Sequence, residues 1–146
     1  MPTYDYPRPA VTVDTAVFRG PSLARELLLV RRGADPYAGM WALPGGFLEP
    51  DEPLDHCARR ELVEETGLSP AGLFAHVGAY GDPGRDPRGW TVTVLFAVAM
   101  GEGEPDAVEG GDDAAKAAWH PLAELPVLAF DHERLTRDAA AWIASR

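Results

Sequence analysis

Residues 45–68 read GGFLEPDEPLDHCARRELVEETGL, a pattern that predicts a loop, a helix and a second loop. Pro53 suits the first position of the helix, because its missing N–H would have no partner there. Gly67 suits the left-handed residue just past the helix end. Apolar residues recur between them at intervals of four, at Leu54, Ala58 and Leu62. This spacing gives the helix one apolar side that can pack on a sheet.

Three carboxylates share another side of this helix. Glu61, Glu64 and Glu65 are spaced i, i+3, i+4, so they fall within an arc of about 100°. Carboxylates this close repel each other unless a cation lies among them. Carboxylates and water are the ligands of a hard ion such as Mg²⁺ or Mn²⁺, so these residues are candidates for a metal site, and a solvated acidic face is the alternative.

The whole stretch resembles the Nudix box and departs from it nowhere. Gly46, Glu52 and the segment 60–68 lie at the intervals of that motif. The resemblance implies an α/β fold, the Nudix α/β/α sandwich, with a mixed β-sheet between the box helix and a C-terminal helix. It also implies hydrolysis of a nucleoside diphosphate linked to another group, with a divalent metal.

The same resemblance implies roles for individual box residues. The Gly46 carbonyl is expected to join Glu61, Glu64 and Glu65 as a metal ligand, and Arg60 to orient the box glutamates. Glu52 is expected either to reach the metal cluster or to brace Arg60. Because negative charge is favourable near a helix N-terminus, capping the helix is a third role open to Glu52.

Weaker matches resemble the ADP-ribose pyrophosphatase branch of the family. They are Pro83, sixteen residues after Gly67, and the segments 7–14, 81–88 and 128–132. This resemblance implies that ADP-ribose and water give AMP and ribose 5-phosphate. Two alternatives stay open: another Nudix pyrophosphohydrolase, acting on an oxidised nucleoside triphosphate or another nucleoside diphosphate derivative, or a protein that senses ADP-ribose without cleaving it.

Arginines and aromatic residues around the box are candidates for substrate binding. Arginine carries a permanent charge, and aromatic rings can stack on a base. The alternatives for the arginines are a solvated strand end and an ordinary charged loop. The candidates are Arg31, Arg32, Arg85 and Arg88 for phosphate, and Tyr6, Tyr37 and Trp41 for adenine.

The general base is expected to be a carboxylate, either Glu61 or an acid from the loop 101–113. Relatives in the Nudix family often take a further carboxylate from this loop. Asp113, six residues before Trp119, and Glu109 are the candidates there. A base must lie within hydrogen-bond reach of the proton it removes, so the sequence leaves the choice among Glu61, Glu109 and Asp113 open.

Patterning along the rest of the chain predicts one domain, residues 10–146, after an N-terminal arm, residues 1–9. The segment 114–120 is rich in alanine and by propensity favours a helix, but the family pattern places a strand there. Strands are predicted at 10–19, 26–32, 41–44, 73–80, 90–100 and 114–120. Helices are predicted at 53–66, 121–125 and 130–145, the last with Asp131 as its cap.

Composition limits the partners of the chain. The 146 residues carry a formal net charge of −10, which argues against nucleic-acid polymers and anionic membranes as partners. Cys57 is the only cysteine, so no internal disulfide can form. No signal peptide or membrane span is recognisable, and a cytoplasmic location is expected. The family resemblance and the proline-rich arm suggest a homodimer that binds a small nucleotide.

Overall fold

The computed structural model describes residues 3–111 and 114–146. Its strands are β1 (Ala10–Arg19), β2 (Glu26–Arg32), β3 (Trp41–Ala42), β4 (Gly45–Phe47), β5 (Ala75–Tyr80), β6 (Thr91–Ala99) and β7 (Ala114–Pro121). Its α-helices are α1 (Leu54–Thr66) and α2 (His132–Ala144). Single 3₁₀ turns lie at Ser22–Ala24 and Leu122–Glu124.

The sheet is mixed, with the order β3-β2-β1-β6-β5. β1 runs parallel to β6, from the pair Ala10–Thr91 to the pair Phe18–Ala99. β1 and β2 are antiparallel but pair only at one end, at Phe18–Leu27 and Arg19–Glu26. Beyond that end β4 pairs with β1 and β3 pairs with β2, while β7 pairs with β2 from Glu26 to Arg32. The two central strands therefore separate, and the functional cavity lies between them.

Helices α1 and α2 cover opposite faces of this sheet. Side chains alternate along a strand, so neighbouring residues of β1 point to opposite faces. Val13 and Val17 pack with Leu62 of α1, whereas Ala16 and Phe18 pack with α2. The predicted α/β/α sandwich with a mixed sheet is therefore confirmed.

Most of the predicted elements are present, with small differences at their ends. The helix α1 begins at Leu54, so Pro53 is its N-cap, in extended conformation, rather than its first helical residue. Gly67 ends α1 as predicted, with φ of 76° and its N–H bonded to the Val63 carbonyl. The alanine-rich segment forms strand β7, as predicted from the family pattern. None of the described helices is long and apolar enough to cross a membrane.

Two predictions about local structure were wrong. β4 was missed, because glycines have low strand propensity; Gly45 and Gly46 nevertheless pair with Asp14 and Val13. Asp131 stands at the N-cap of α2, but its side chain does not cap the helix. Its carboxylate instead binds Arg85.

Candidate active site

A cavity of about 960 Å³ lies where β1 and β2 separate, beside the box helix α1. This volume is within the range of small-molecule binding sites. Carboxylates from α1 and the preceding loop line one part, and arginines from β2 and the loop before β6 line another. The charged and imidazole side chains of the lining are Asp14, Arg32, Asp35, Glu49, Arg60, Glu61, Glu64, Glu65, Arg85, Asp86, Arg88 and His132.

Arg60 is the centre of the carboxylate cluster. Its Nε and Nη2 donate to the two oxygens of Glu52, at 2.7 and 2.9 Å. Its Nη1 donates to Glu61 at 2.8 Å and to Glu64 at 3.2 Å. The hydrogen bonds from Arg60 hold the Glu52 pKa well below its ordinary value. Arg60 therefore both pairs with Glu52 and fixes two of the three glutamates that α1 contributes to the cavity lining.

Glycines let the strand β4 approach these carboxylates closely. A Cβ at Gly46 would collide with the Glu61 carboxylate. The Gly45 N–H donates to Glu65 Oε1 at 2.7 Å. Glu65 is only 8% exposed, and burial raises its pKa to about 8. The backbone thus lies directly against two acidic side chains, one of which is costly to ionise without a nearby cation.

The chemistry of these donors fits a hard divalent ion. Glu61, Glu64 and Glu65 supply carboxylate oxygens from one side of α1, and the small residue Gly46 leaves room beside Glu61. Within residues 3–111 and 114–146, no set of three carboxylate, imidazole or thiol side chains lies close enough together to bind one ion as they stand. Arg60 supplies the countercharge to Glu61 and Glu64, so an ion would share these two carboxylates with Arg60.

Besides Arg60, three arginines line the cavity, and each is held by an oxygen acceptor. Arg32 donates to the Pro36 carbonyl at 2.7 Å. Arg85 makes a bidentate pair with Asp131, at 2.9 and 2.7 Å, and its side chain is only 5% exposed. Burial disfavours the charge on Arg85, but the pair with Asp131 keeps its pKa above the ordinary value.

Arg88 is held in the same way by Asp86. Its Nη2 donates to Asp86 Oδ2 at 2.8 Å, and the Asp86 side chain is only 2% exposed. Burial opposes the negative charge of Asp86, yet the bonds from Arg88 keep the Asp86 pKa below its ordinary value. Arg32, Arg85 and Arg88 are therefore fixed cations in the cavity.

Several candidates from the sequence do not line this cavity. Arg31 is the neighbour of Arg32 on β2, so its side chain points to the other face, where Nε bonds the Gly39 carbonyl at 3.0 Å. Trp41 packs beside the core under α2, with its ring 4.5 Å from that of His120. The ring of Tyr37 packs edge-on against that of Phe130 but does not line the cavity, and Tyr6 is 80% exposed in the arm.

The acidic loop before β7 contributes no described side chain to the cavity lining. Glu109 is exposed, and its backbone N–H bonds the Thr66 carbonyl at the end of α1, at 3.2 Å. Asp113, the other candidate base in this loop, lies outside the described residues. Of the three carboxylates left open as the base, Glu61 alone is described as lining the cavity.

Among the lining residues that were not predicted from the sequence are Asp14, Phe47, Phe130 and His132. The segment 128–132 was noticed, but only as a mark of a family branch. His132 is buried, and its Nδ1 accepts a hydrogen bond from the Leu43 N–H at 3.0 Å. Because Nδ1 accepts this bond it carries no proton, so the ring proton lies on Nε2, 3.7 Å from Asp14, and burial lowers the pKa of His132.

Comparison with known proteins agrees with this geometry. The NUDIX domain family profile matches residues 8–143. The chain is 39% identical to the ADP-ribose pyrophosphatase of Methanocaldococcus jannaschii over 137 residues, 94% of this chain and 76% of that protein. It is also 39% identical to the ADPR responsive transcriptional repressor NtrR of Acinetobacter baylyi, over 94% of this chain but only 55% of the repressor. The solved NUDIX domain of Shewanella oneidensis NrtR complexed with ADP ribose superimposes with a TM-score of 0.84 and 33% identity, over 96% of this chain and 94% of that one.

Proposed function

The chain belongs to the Nudix hydrolase family, and we propose that its substrate is ADP-ribose, which it hydrolyses to AMP and ribose 5-phosphate. Two similarities support this substrate. The similarity to an ADP-ribose pyrophosphatase extends over 94% of this chain, and a NUDIX domain of the same fold has been solved with ADP ribose bound.

One structural observation carries the proposal: carboxylates suited to a metal ion and fixed arginines line the same cavity. A diphosphate ester needs both, because its two phosphate groups carry negative charge that must be neutralised before water can attack. Glu61, Glu64 and Glu65 would hold a divalent ion, Mg²⁺ or Mn²⁺, with the Gly46 carbonyl. Bound there, the ion would stabilise the charge that develops on the phosphates.

The protein side chains have distinct tasks in this reaction. Arg32, Arg85 and Arg88 bind and orient the phosphate oxygens, and their own acceptors keep them in place before substrate enters. Water forms a bond to one phosphorus as the P–O bond to the other phosphate breaks. Glu61 accepts the proton of that water, since it is the candidate base that lines the cavity. Arg60 positions Glu61 and Glu64 through its hydrogen bonds.

The test is release of AMP from ADP-ribose, measured with and without added Mg²⁺ or Mn²⁺. Glu64→Gln keeps the size of the side chain but removes a charged ligand, so turnover should fall at least about 100-fold. Glu133→Gln, an exposed glutamate of α2, is the matched control and should turn over normally. Wild-type turnover in Glu64→Gln would refute the metal assignment.

The similarity to a transcriptional repressor favours a second candidate, binding of ADP-ribose without hydrolysis. Calorimetric binding of ADP-ribose with no AMP release would establish it. A panel that includes oxidised nucleoside triphosphates separates the remaining alternative: turnover of a triphosphate with ADP-ribose inert would overturn the proposed substrate. The homodimer and the cytoplasmic location expected from the sequence stay predictions.

A further inference from the structure

Two aromatic rings line the cavity, and neither belongs to the residues that the sequence suggested for stacking. Phe47 lies in β4, next to the box residue Gly46, and Phe130 lies just before α2. The guanidinium carbon of Arg88 lies over both rings, 5.0 Å from the Phe47 centroid and 5.5 Å from the Phe130 centroid. The two rings therefore face one shared space, which already accepts a flat, delocalised group.

We propose that Phe47 and Phe130 form the binding site for the nucleobase of the substrate, a planar ring that enters the space these two side chains share and lies beside the Arg88 guanidinium. The proposal rests on the proposed nucleotide substrate and deepens it. A base offers a larger flat surface than a guanidinium, and stacking on aromatic rings accepts any base. Arg88 keeps its place next to the base, because it forms a bidentate pair with the buried Asp86.

The backbone around Phe130 shows that its ring is held in place. Phe130 has φ of 54°, a left-handed conformation that is unusual for an aromatic residue. Strained residues of this kind are found mainly where a ligand is bound or a site is shaped. The Tyr37 ring, from a second left-handed residue, packs edge-on against Phe130 at 4.8 Å, and the Arg32 guanidinium lies 4.9 Å from its centroid. These contacts fix one wall of the proposed base site.

The other wall is tied directly to the carboxylate cluster. The Phe47 carbonyl accepts a hydrogen bond from Arg60 Nη2 at 3.2 Å, while the Phe47 side chain is 45% exposed. The same residue thus contacts Arg60 through its backbone and faces the cavity through its ring. A base between Phe47 and Phe130 would lie beside the proposed phosphate site, as a mononucleotide requires.

The experiment compares AMP with ribose 5-phosphate, which lacks the base. Binding of each is measured by calorimetry to wild type, Phe47→Leu and Phe130→Leu, together with the KM for ADP-ribose. Each leucine variant should bind AMP about 5- to 150-fold more weakly, raise the KM similarly, and bind ribose 5-phosphate as wild type does. Phe47→Tyr and Phe130→Tyr, which keep the ring, should retain AMP affinity. Trp90→Leu, an exposed aromatic outside the cavity lining, is the matched control.

The outcomes separate this inference from the proposed function. If wild type hydrolyses ADP-ribose but the leucine variants keep AMP affinity, the base site is refuted and the function stands. Equal losses for AMP and ribose 5-phosphate would also refute it, because they would indicate general damage to the cavity. If wild type does not hydrolyse ADP-ribose, AMP binding still tests the base site. A wild type that does not bind AMP refutes the base site. If Phe130→Leu does not fold, the AMP affinity of Phe47→Leu, a substitution at an exposed residue, tests the base site by itself.

Discussion

Gly46 shows how a missing side chain shapes the carboxylate cluster. Alanine there would place a Cβ against the Glu61 carboxylate. Because Glu61 is also bonded to Arg60, it cannot move aside without disturbing that pair. We expect Gly46→Ala to lower kcat about 100-fold, the usual size of a displacement of about 1 Å at a reacting group, as measured by AMP release.

Gly72→Ala is the control for that substitution. Its added Cβ would lie 3.4 Å from the Ala99 carbonyl and the Val98 side chain, close to ordinary contact, and Gly72 is not among the residues that line the cavity. It should keep wild-type kcat. Equal kcat values for the two alanine variants would show that the space at Gly46 is not needed for the reaction.

Glu52 links the carboxylate cluster to the pH dependence of stability. The Arg60 hydrogen bonds hold its pKa below the ordinary value of 4.5, so folding favours its charged form. Its contribution to the free energy of unfolding is complete above pH 4.5 and is lost as the pH falls toward the folded-state pKa. Glu52→Gln should therefore be less stable than wild type at about pH 7, and the difference should shrink at about pH 3.

Urea unfolding at both pH values measures this difference. Glu49→Gln is the matched control, because Glu49 is 64% exposed and lies 3.7 Å from Arg60. It should change stability little at either pH. A Glu52→Gln variant whose deficit stays constant from about pH 7 to about pH 3 would contradict the linkage through Arg60.

Residue spacing predicted the helical carboxylates but not the full cavity lining. Glu61 and Glu65 are four residues apart, about one helical turn, so the regular geometry of a helix places them on the same side of α1. No such rule predicts which of Arg31 and Arg32 faces the cavity, since that depends on how β2 pairs with β3 and β7. Phe130 escaped notice because its position depends on a left-handed backbone that a phenylalanine rarely adopts.

At the scale of elements, the loop between β5 and β6 is joined to α2 by two ion pairs of different burial. Arg85–Asp131 is nearly buried, with side chains 5% and 23% exposed. Arg134–Asp82 is open, at 52% and 73%. Asp131→Asn leaves the Arg85 charge without its partner but keeps a good N-cap residue, so we expect it to destabilise the fold by about 3 kcal/mol.

Asp82→Asn is the matched change at the open pair. It should cost about 0–1 kcal/mol, because solvent screens exposed charges. Urea unfolding of both variants measures the contrast. Equal losses would mean that the loop is held by its backbone rather than by the Arg85–Asp131 pair, and the fixed position of Arg85 in the cavity would then need another cause.

Strands with a regular pattern of apolar side chains could be predicted from the sequence. Strands that form only because they pair with a distant strand could not be predicted from their own residues. β1, β2 and β6 contain runs of buried apolar residues, which indicate central strands in any context. β4 contains two glycines, and pairing with β1 makes it a strand despite its low propensity. β7 is alanine-rich and was recovered only through the family pattern, because its pairing with β2 overrides helix propensity.

At the scale of the whole molecule, a chain with net charge −10 is proposed to bind an anion. The fold makes this possible by separating β1 from β2 and bringing arginines of distant segments to one cavity. Arg32 comes from β2, whereas Arg85 and Arg88 come from the loop before β6. Local charge, rather than the sum over the chain, decides what the cavity can bind.

The same layered arrangement predicts how stability is distributed over the molecule. β1, β2 and β6 lie between α1 and α2, and Val17, Leu28 and Phe96 on these strands are 0% exposed. Their amides should exchange with deuterium only through global unfolding, so small additions of urea should accelerate them with the slope of the global transition. Residues 101–111 lie in no helix or strand, so their amides should exchange quickly and ignore urea, except those of Gly101, Glu104 and Glu109, which donate hydrogen bonds. Fast, urea-independent exchange in β1 or β6 would show that the cavity is built on a locally unstable sheet, which could not hold Asp14 and the box strand β4 in fixed positions.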